Sequence, residues 1–192
     1  MNLIGLAKLS IESYIKEGKI ILPPKNLPEE VFNKRAGTFV TINKQLPSDS
    51  KQRLRGCIGT YLPLRQNIAE EVISNAIAAA TEDYRFGPVR EEELPYLTYT
   101  IYILTPPELV KDIKELNPKK YGIIVRTRYI PDVNRTDVVF NGHLSCKSGL
   151  LLPDLEGVNT PEEQISIACQ KGDIDPQREK IIIYRFSVEK YQ

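Results

Sequence analysis

The chain lacks tryptophan altogether and has one methionine, one histidine and three cysteines in 192 residues. Cys57, Cys146 and Cys169 are odd in number and widely spaced, with no C-x-x-C pair. That pattern excludes a disulfide framework and fits a reducing, intracellular compartment. No apolar run approaches the roughly 20 residues that a membrane-spanning helix needs. The first residues carry Lys8, Glu12, Lys16 and Glu17, which is not the pattern of a signal peptide. A cytoplasmic protein is therefore expected. The charge excess is also missing: 26 basic against 25 acidic residues leave a net +1. A surface built for nucleic acid or anionic lipid normally carries surplus Lys and Arg, so both partners are disfavoured. No G-x-G-x-x-G, P-loop, H-E-x-x-H or G-x-S-x-G motif occurs, and there is no internal repeat.

What is present is a 41% hydrophobic fraction, enough for a real core, carried in helical and strand periods that do not alternate as in a parallel doubly wound fold. Leu3, Leu6, Ala7, Ile11, Tyr14 and Ile15 recur at helical spacing over 3–17, with Gly18 as a natural stop. Pro23, Pro24 and Pro28 make 22–28 irregular or extended. Thr38–Ile42 is β-branched around Phe39 and reads as a strand. A polar loop over 44–52 joins it to a second strand, predicting a hairpin. Pro63 sits where a helix can begin. Ile68, Val72, Ala76 and Ala79, widened by Ile73, Ile77 and Ala80, give that helix a broad buried side as far as Glu82. Further strands are predicted over 97–104, 121–126, 137–140, 149–152 and 180–187. Asn141-Gly142 signals a turn, and 127–136 reads as a polar loop. Thr160-Pro-Glu-Glu163 is a capping box opening a last helix to Gln170. The order predicts an α+β fold with a mostly antiparallel sheet flanked by helices.

Chemistry concentrates in Lys51-Gln-Arg-Leu-Arg-Gly-Cys-Ile-Gly-Thr60. As a regular strand it puts Arg53, Arg55, Cys57 and Gly59 on one face and Leu54, Gly56 and Ile58 on the other. Cations beside a thiol favour the thiolate, the reactive form of cysteine. A small buried cysteine between glycines is the plain alternative, because free cysteines are among the most buried residues. An arginine can promote a thiolate but cannot shuttle protons at neutral pH. The sole histidine, His143, lies far along the chain.

Gly56 and Gly59 inside a strand mark a bulge, a close backbone approach, or a ligand contact. In the ligand reading, backbone N–H groups near Thr60 hold an anion with Arg53 and Arg55. In the packing reading, the alanine-rich helix lies directly on the glycines. Asp83 and Arg85, just past that helix, either line a site with Arg55 or form an ordinary surface ion pair. His143-x-x-Cys146 could give two metal ligands with Cys57 or Cys169 beside them, but H-x-x-C alone is too common a pattern to assign a metal.

The heptad Leu54-Arg-Gly-Cys-Ile-Gly-Thr60 resembles the signature of the AMMECR family, named after a human chromosomal region linked to Alport syndrome. Ala36-Gly-Thr-Phe-Val-Thr41 resembles the preceding strand of that family, and the alanine-rich helix with Glu82-Asp-Tyr-Arg-Phe86 its next block. Leu94-Pro95, the strand ending Leu104-Thr-Pro-Pro107, then Gly149-Leu-Leu-Leu-Pro153 and Cys169-Gln-Lys-Gly172 follow in order. The resemblance covers nearly the whole chain. It implies a single domain over 1–192, with a larger lobe holding both termini, a smaller lobe, and a cleft near the signature. It implies no particular reaction and no cofactor. Relatives occur together with radical S-adenosylmethionine proteins and Memo-like proteins, which points to a shared modification pathway. Position by position, Arg55, Gly56, Cys57, Gly59, Thr60, Asp83 and Arg85 are implied as the shared site. Tyr84 stands where the family usually has proline, 127–148 is longer than usual, and Lys171-Gly-Asp-Ile replaces a Lys-Ala-Gly-Leu block.

Two functions of different kind follow as expectations. One is a cytoplasmic enzyme or enzyme subunit that binds a small anionic ligand. Arg55 then holds a carboxylate or phosphate, Cys57 acts as nucleophile or covalent anchor, and Asp83 with Arg85 fixes the geometry. The other is a binding module for a peptide or partner protein, with Cys57 purely structural. RNA or nucleotide binding through the arginines is a third, weaker reading, opposed by the near-zero net charge.

Overall fold

The structure is a computed structural model that describes residues 1–45, 51–127 and 147–192. The chain divides into two compact units: Met1–Pro106 with Glu189–Gln192, and Pro107–Val188. The larger unit holds both termini, as the family resemblance implies.

In the larger unit, helix α1 (Leu3–Glu17) starts on Asn2, whose side chain accepts the Gly5 N–H, and ends on Gly18 at φ 66°. That left-handed backbone suits glycine. The proline stretch 22–28 forms no helix or strand, as predicted, and a short helix α2 (Glu30–Asn33) follows it. Strands β1 (Thr38–Lys44) and β2 (Arg53–Thr60) form the predicted hairpin. Helix α3 (Ile68–Thr81) and strand β3 (Leu97–Leu104) follow, with a 3-10 segment Glu91–Tyr96 between them.

Helix α3 begins five residues later than Pro63 predicted. Asn67 is its N-cap, accepting from Glu70 N. The reason lies in Glu71, which turns its carboxylate back to accept the N–H groups of Leu64 and Arg65 at 2.8 and 2.7 Å. Those donors are thereby satisfied outside the helix. Helices α1 and α3 pack on each other, α3 lies on β1 and β2, and α1 contacts β3. Leu6, Ile11, Val40, Ile42, Val72, Ala76 and Ile101 form the fully buried centre of this core.

The smaller unit contains β4 (Glu108–Leu109), β5 (Gly122–Thr127), β6 (Ser148–Leu151), α4 (Pro161–Lys171) and β7 (Ile181–Phe186). Its sheet runs β4-β7-β5-β6 with antiparallel pairing throughout. The predicted capping box is formed: Thr160 accepts from Glu163 N, and Glu163 accepts from Thr160 N. Helix α4 packs on β5 and β6 over Ile123, Val125, Leu151 and Ala168.

The fold is α+β with antiparallel sheets and flanking helices, as the pattern predicts, but it has two four-stranded sheets. The apolar run at 180–187 is the single strand β7 (Ile181–Phe186), but it does not close the chain as predicted. Strand β7 ends at Phe186, and β8 (Val188–Tyr191) lies beside β3 in the first sheet, ordered β2-β1-β3-β8. The predicted strand at 137–140, the turn at Asn141-Gly142 and most of the 127–136 loop lie outside the described residues. Among the described residues no helix is long and apolar enough to cross a membrane.

Candidate functional site

The signature strand β2 is an edge strand and carries a bulge. Ile42 pairs with Gly56 and Asn43 with Leu54, so Arg55 has no partner across the ladder. A bulge of this kind re-aims its residue and shifts the alternation of everything before it. Strict alternation therefore fails upstream of Gly56. Arg53 lies opposite Lys44 and Leu54 opposite Asn43, which exchanges their expected faces. Arg53 is exposed at the start of the strand and does not share the face of Cys57.

Cys57 is half-buried, directly opposite Thr41. Its sulfur lies 3.2 Å from Thr41 Oγ1. Its N–H points away from β1 and donates to Asp83 Oδ2 at 2.8 Å. Thr41 and Cys57 are thus a pair without mutual backbone bonds, the arrangement in which side chains approach most closely.

Asp83 is 4% exposed and takes up the open edge of β2 at this point. Arg85 locks it from the other side, donating from Nε to Oδ1 at 2.9 Å, from Nη2 to Oδ2 at 2.7 Å, and from its backbone N–H at 3.2 Å. The Arg85 guanidinium, opposed only in part by burial, holds the Asp83 carboxyl down at about 2, with the Cys57 N–H assisting. Asp83 in turn raises Arg85, and the Cys57 sulfur adds to that through its negative charge when ionised. The Arg85 side chain is 45% exposed. Its Nη1 has no hydrogen-bond partner among the described residues. Arg85 also stacks over the Phe86 ring at 5.3 Å, and Tyr84 between the pair is almost fully exposed.

Arg55 is engaged differently from an arginine waiting for a ligand. Its Nε and Nη2 donate to the two oxygens of Glu93 at 3.0 and 2.9 Å. Its Nη1 and Nη2 donate to the carbonyls of Gly87 and Pro88 at 2.9 and 3.0 Å. Four of the five N–H groups of a guanidinium are thereby occupied within the protein.

Gly56 lies against helix α3: a Cβ there would sit 2.1 Å from the Ala79 carbonyl oxygen. Gly59 faces Phe39 and the Thr38 carbonyl, which would lie 2.3 and 2.4 Å from a Cβ. The Thr60 hydroxyl donates to Glu71 at 2.6 Å and accepts from Asn75, which also bonds Thr38. These three signature residues are thus committed to packing and to an internal polar network. Arg55, Cys57, Asp83 and Arg85 are brought together along one stretch of the β2 edge.

Glu93, Thr41 and Glu71 have no counterpart among the sequence-derived candidates. Glu71 and Asn75 do leave a trace. Both fall on the apolar side of α3, three and seven residues after Ile68, where polar groups need internal partners. Nothing local marks Glu93 or Thr41, since both act across long sequence separations. His143 and Cys146 lie outside the described residues. Cys169 is a buried residue of α4, and burial pushes its thiol up. Among the described residues no three His, Cys, Asp or Glu side chains are grouped to hold a metal ion.

The family model AMMECR1 matches residues 4–191. A protein from Thermotoga maritima is 48% identical over 182 residues, covering 95% of this chain and 92% of its own length. A longer protein from Clostridium acetobutylicum is 40% identical over 190 residues, which are 98% of this chain but 35% of that relative. The crystal structure of an uncharacterized protein from Pyrococcus horikoshii matches with a TM-score of 0.80 at 33% identity, covering 98% of this chain and 88% of that one.

Proposed function

The chain belongs to the AMMECR1 family, and from that premise we propose that it is a thiol-dependent enzyme or enzyme subunit acting on a small anionic ligand. Cys57 is the nucleophile or covalent anchor. Asp83 and Arg85 form the charged wall beside it. The observation that carries this reading is the hydrogen bond from the Cys57 N–H to a buried carboxylate that Arg85 locks in place. A cation held beside a half-buried thiol favours its reactive form. The anion is assigned to Arg85 rather than Arg55, because Arg85 keeps Nη1 and much of its surface for a ligand while Arg55 is occupied. A carboxylate or phosphate oxygen fits such a donor edge. Residues 1–192 act as one domain, since one family model spans both units. The cytoplasmic setting and the shared modification pathway remain part of this reading.

The test is alkylation by iodoacetamide, read peptide by peptide. Cys57 is expected to react far faster than the buried Cys169, and inorganic phosphate or a small carboxylate is expected to slow it in the wild type but not in Arg85→Gln. A Cys57 that reacts no faster than Cys169 in the folded protein overturns the enzyme reading. Tyr84, 95% exposed, and Leu54, 42% exposed, favour the second reading, a peptide or protein-binding module. That reading gains if Cys57→Ala keeps full function in the cell while Tyr84→Ala loses it.

A further inference from the structure

The segment that carries Asp83 and Arg85 is tied to its sheet at few points. The Asp83–Arg85 pair joins two residues of one short stretch, so it cannot by itself fix that stretch in space. Cys57 N ties it to β2 through Asp83, and Arg55 ties its far end to β2 through Gly87 and Pro88. Val89 N donates to the Ala80 carbonyl and closes the connector on the end of α3. The remaining restraint comes from the other side, through Glu93.

The Glu93 carboxylate is 12% exposed and gathers four donors. They are Lys44 Nζ at 2.7 Å, Arg55 Nε at 3.0 Å, Arg55 Nη2 at 2.9 Å and the Arg90 N–H at 3.0 Å. Arg55, oriented on that carboxylate, spends its outer N–H groups on Gly87 and Pro88. A guanidinium fixed bidentately on a carboxylate presents its other donors in one plane. Without the carboxylate the long side chain regains its rotamer freedom, and the two carbonyls lose their donors. One carboxylate thus fixes both ends of the segment 87–90: Arg90 directly and Gly87 through Arg55. The bulge that re-aims Arg55 makes this reach attainable from β2.

We propose that Glu93 is the positioning residue of the Cys57 site: by seating Arg55 on Gly87 and Pro88, it sets where Arg85 and Asp83 stand beside the sulfur. This rests on the reading of Cys57 as the reactive thiol. The signature arginine then serves the site through the loop it holds, and Glu93, outside the signature, becomes as necessary as the signature itself.

The experiment measures the Cys57 alkylation rate with iodoacetamide across the neutral to alkaline range, by mass spectrometry of the Cys57 peptide. The proteins are the wild type, Arg85→Gln, Glu93→Gln and the double variant. Arg85→Gln is expected to move the rate profile to higher pH. Glu93→Gln is expected to move it the same way, slowing reaction near neutrality by about threefold or more. The double variant is expected to match Arg85→Gln, because Glu93 acts through Arg85. An unmoved profile in Glu93→Gln beside a moved one in Arg85→Gln overturns the positioning role and leaves the thiol reading standing. Additive shifts in the double variant overturn it as well. An unmoved profile in Arg85→Gln removes the thiol reading, and the positioning role with it. Should Glu93→Gln fail to fold, Arg55→Lys carries the same expectations, since it keeps the charge but cannot span the carboxylate and both carbonyls.

Discussion

Gly56 has no room for a methyl group, because the Ala79 carbonyl stands where it would go. Gly56→Ala must push β2 away from α3, and a loss of about 1–3 kcal/mol is expected in urea unfolding. Asp83 and Glu93 set the acid limit. Arginine partners hold both carboxyls at about 2, below their ordinary 3.8 and 4.5. A carboxyl lowered on folding adds stability above its unfolded value and loses it as the pH falls towards the folded one. Stability is therefore expected to drop between about pH 4.5 and pH 2, by on the order of 1–2 kcal/mol for each group, the smaller figure for Asp83 because Arg85 is half in solvent. Denaturant titrations across that range should show a shallower slope for Asp83→Asn and for Glu93→Gln than for the wild type. Asp83, Arg85 and Arg55 were legible in the sequence as candidates; that Arg55 spends itself on Glu93 was not, since 38 positions separate the two and no local pattern links them.

Helix and strand periods gave α1, β1, β2, β3, β5 and α4 close to their observed limits, because residue type and spacing mark such runs locally. The misses have local causes that only contacts reveal. Proline at 63 marks a helix start in isolation, but Glu71 captures the adjacent N–H groups and delays the helix to Ile68. Strict alternation placed Arg53 with Cys57, and an unpaired Arg55 broke it. Caps carry real stability at this scale. Thr160→Ala removes the acceptor for Glu163 N and is expected to cost about 1 kcal/mol. Thermal unfolding of the whole chain, compared with Thr160→Ser as a control that keeps the hydroxyl, checks it.

At the scale of the molecule, each unit has its own core, and the chain returns to the first sheet at its end through β8. Tyr191 packs on the larger core. Truncation after Ser187 is expected to speed amide exchange in β3 (97–104) while leaving β5 (122–127) protected, which hydrogen exchange resolves strand by strand. A uniform rise across both strands would show that β8 has no local role. By itself the sequence determined the fold class, the family and the residue types gathered around Cys57, because burial periodicity and short motifs are written along the chain. Only the tertiary structure decided which arginine is occupied, which glycines are filled by neighbours and how the last strands divide between two sheets. Those outcomes depend on pairings between distant segments, and such pairings are settled by register, by hydrogen-bond competition and by the space that packing leaves.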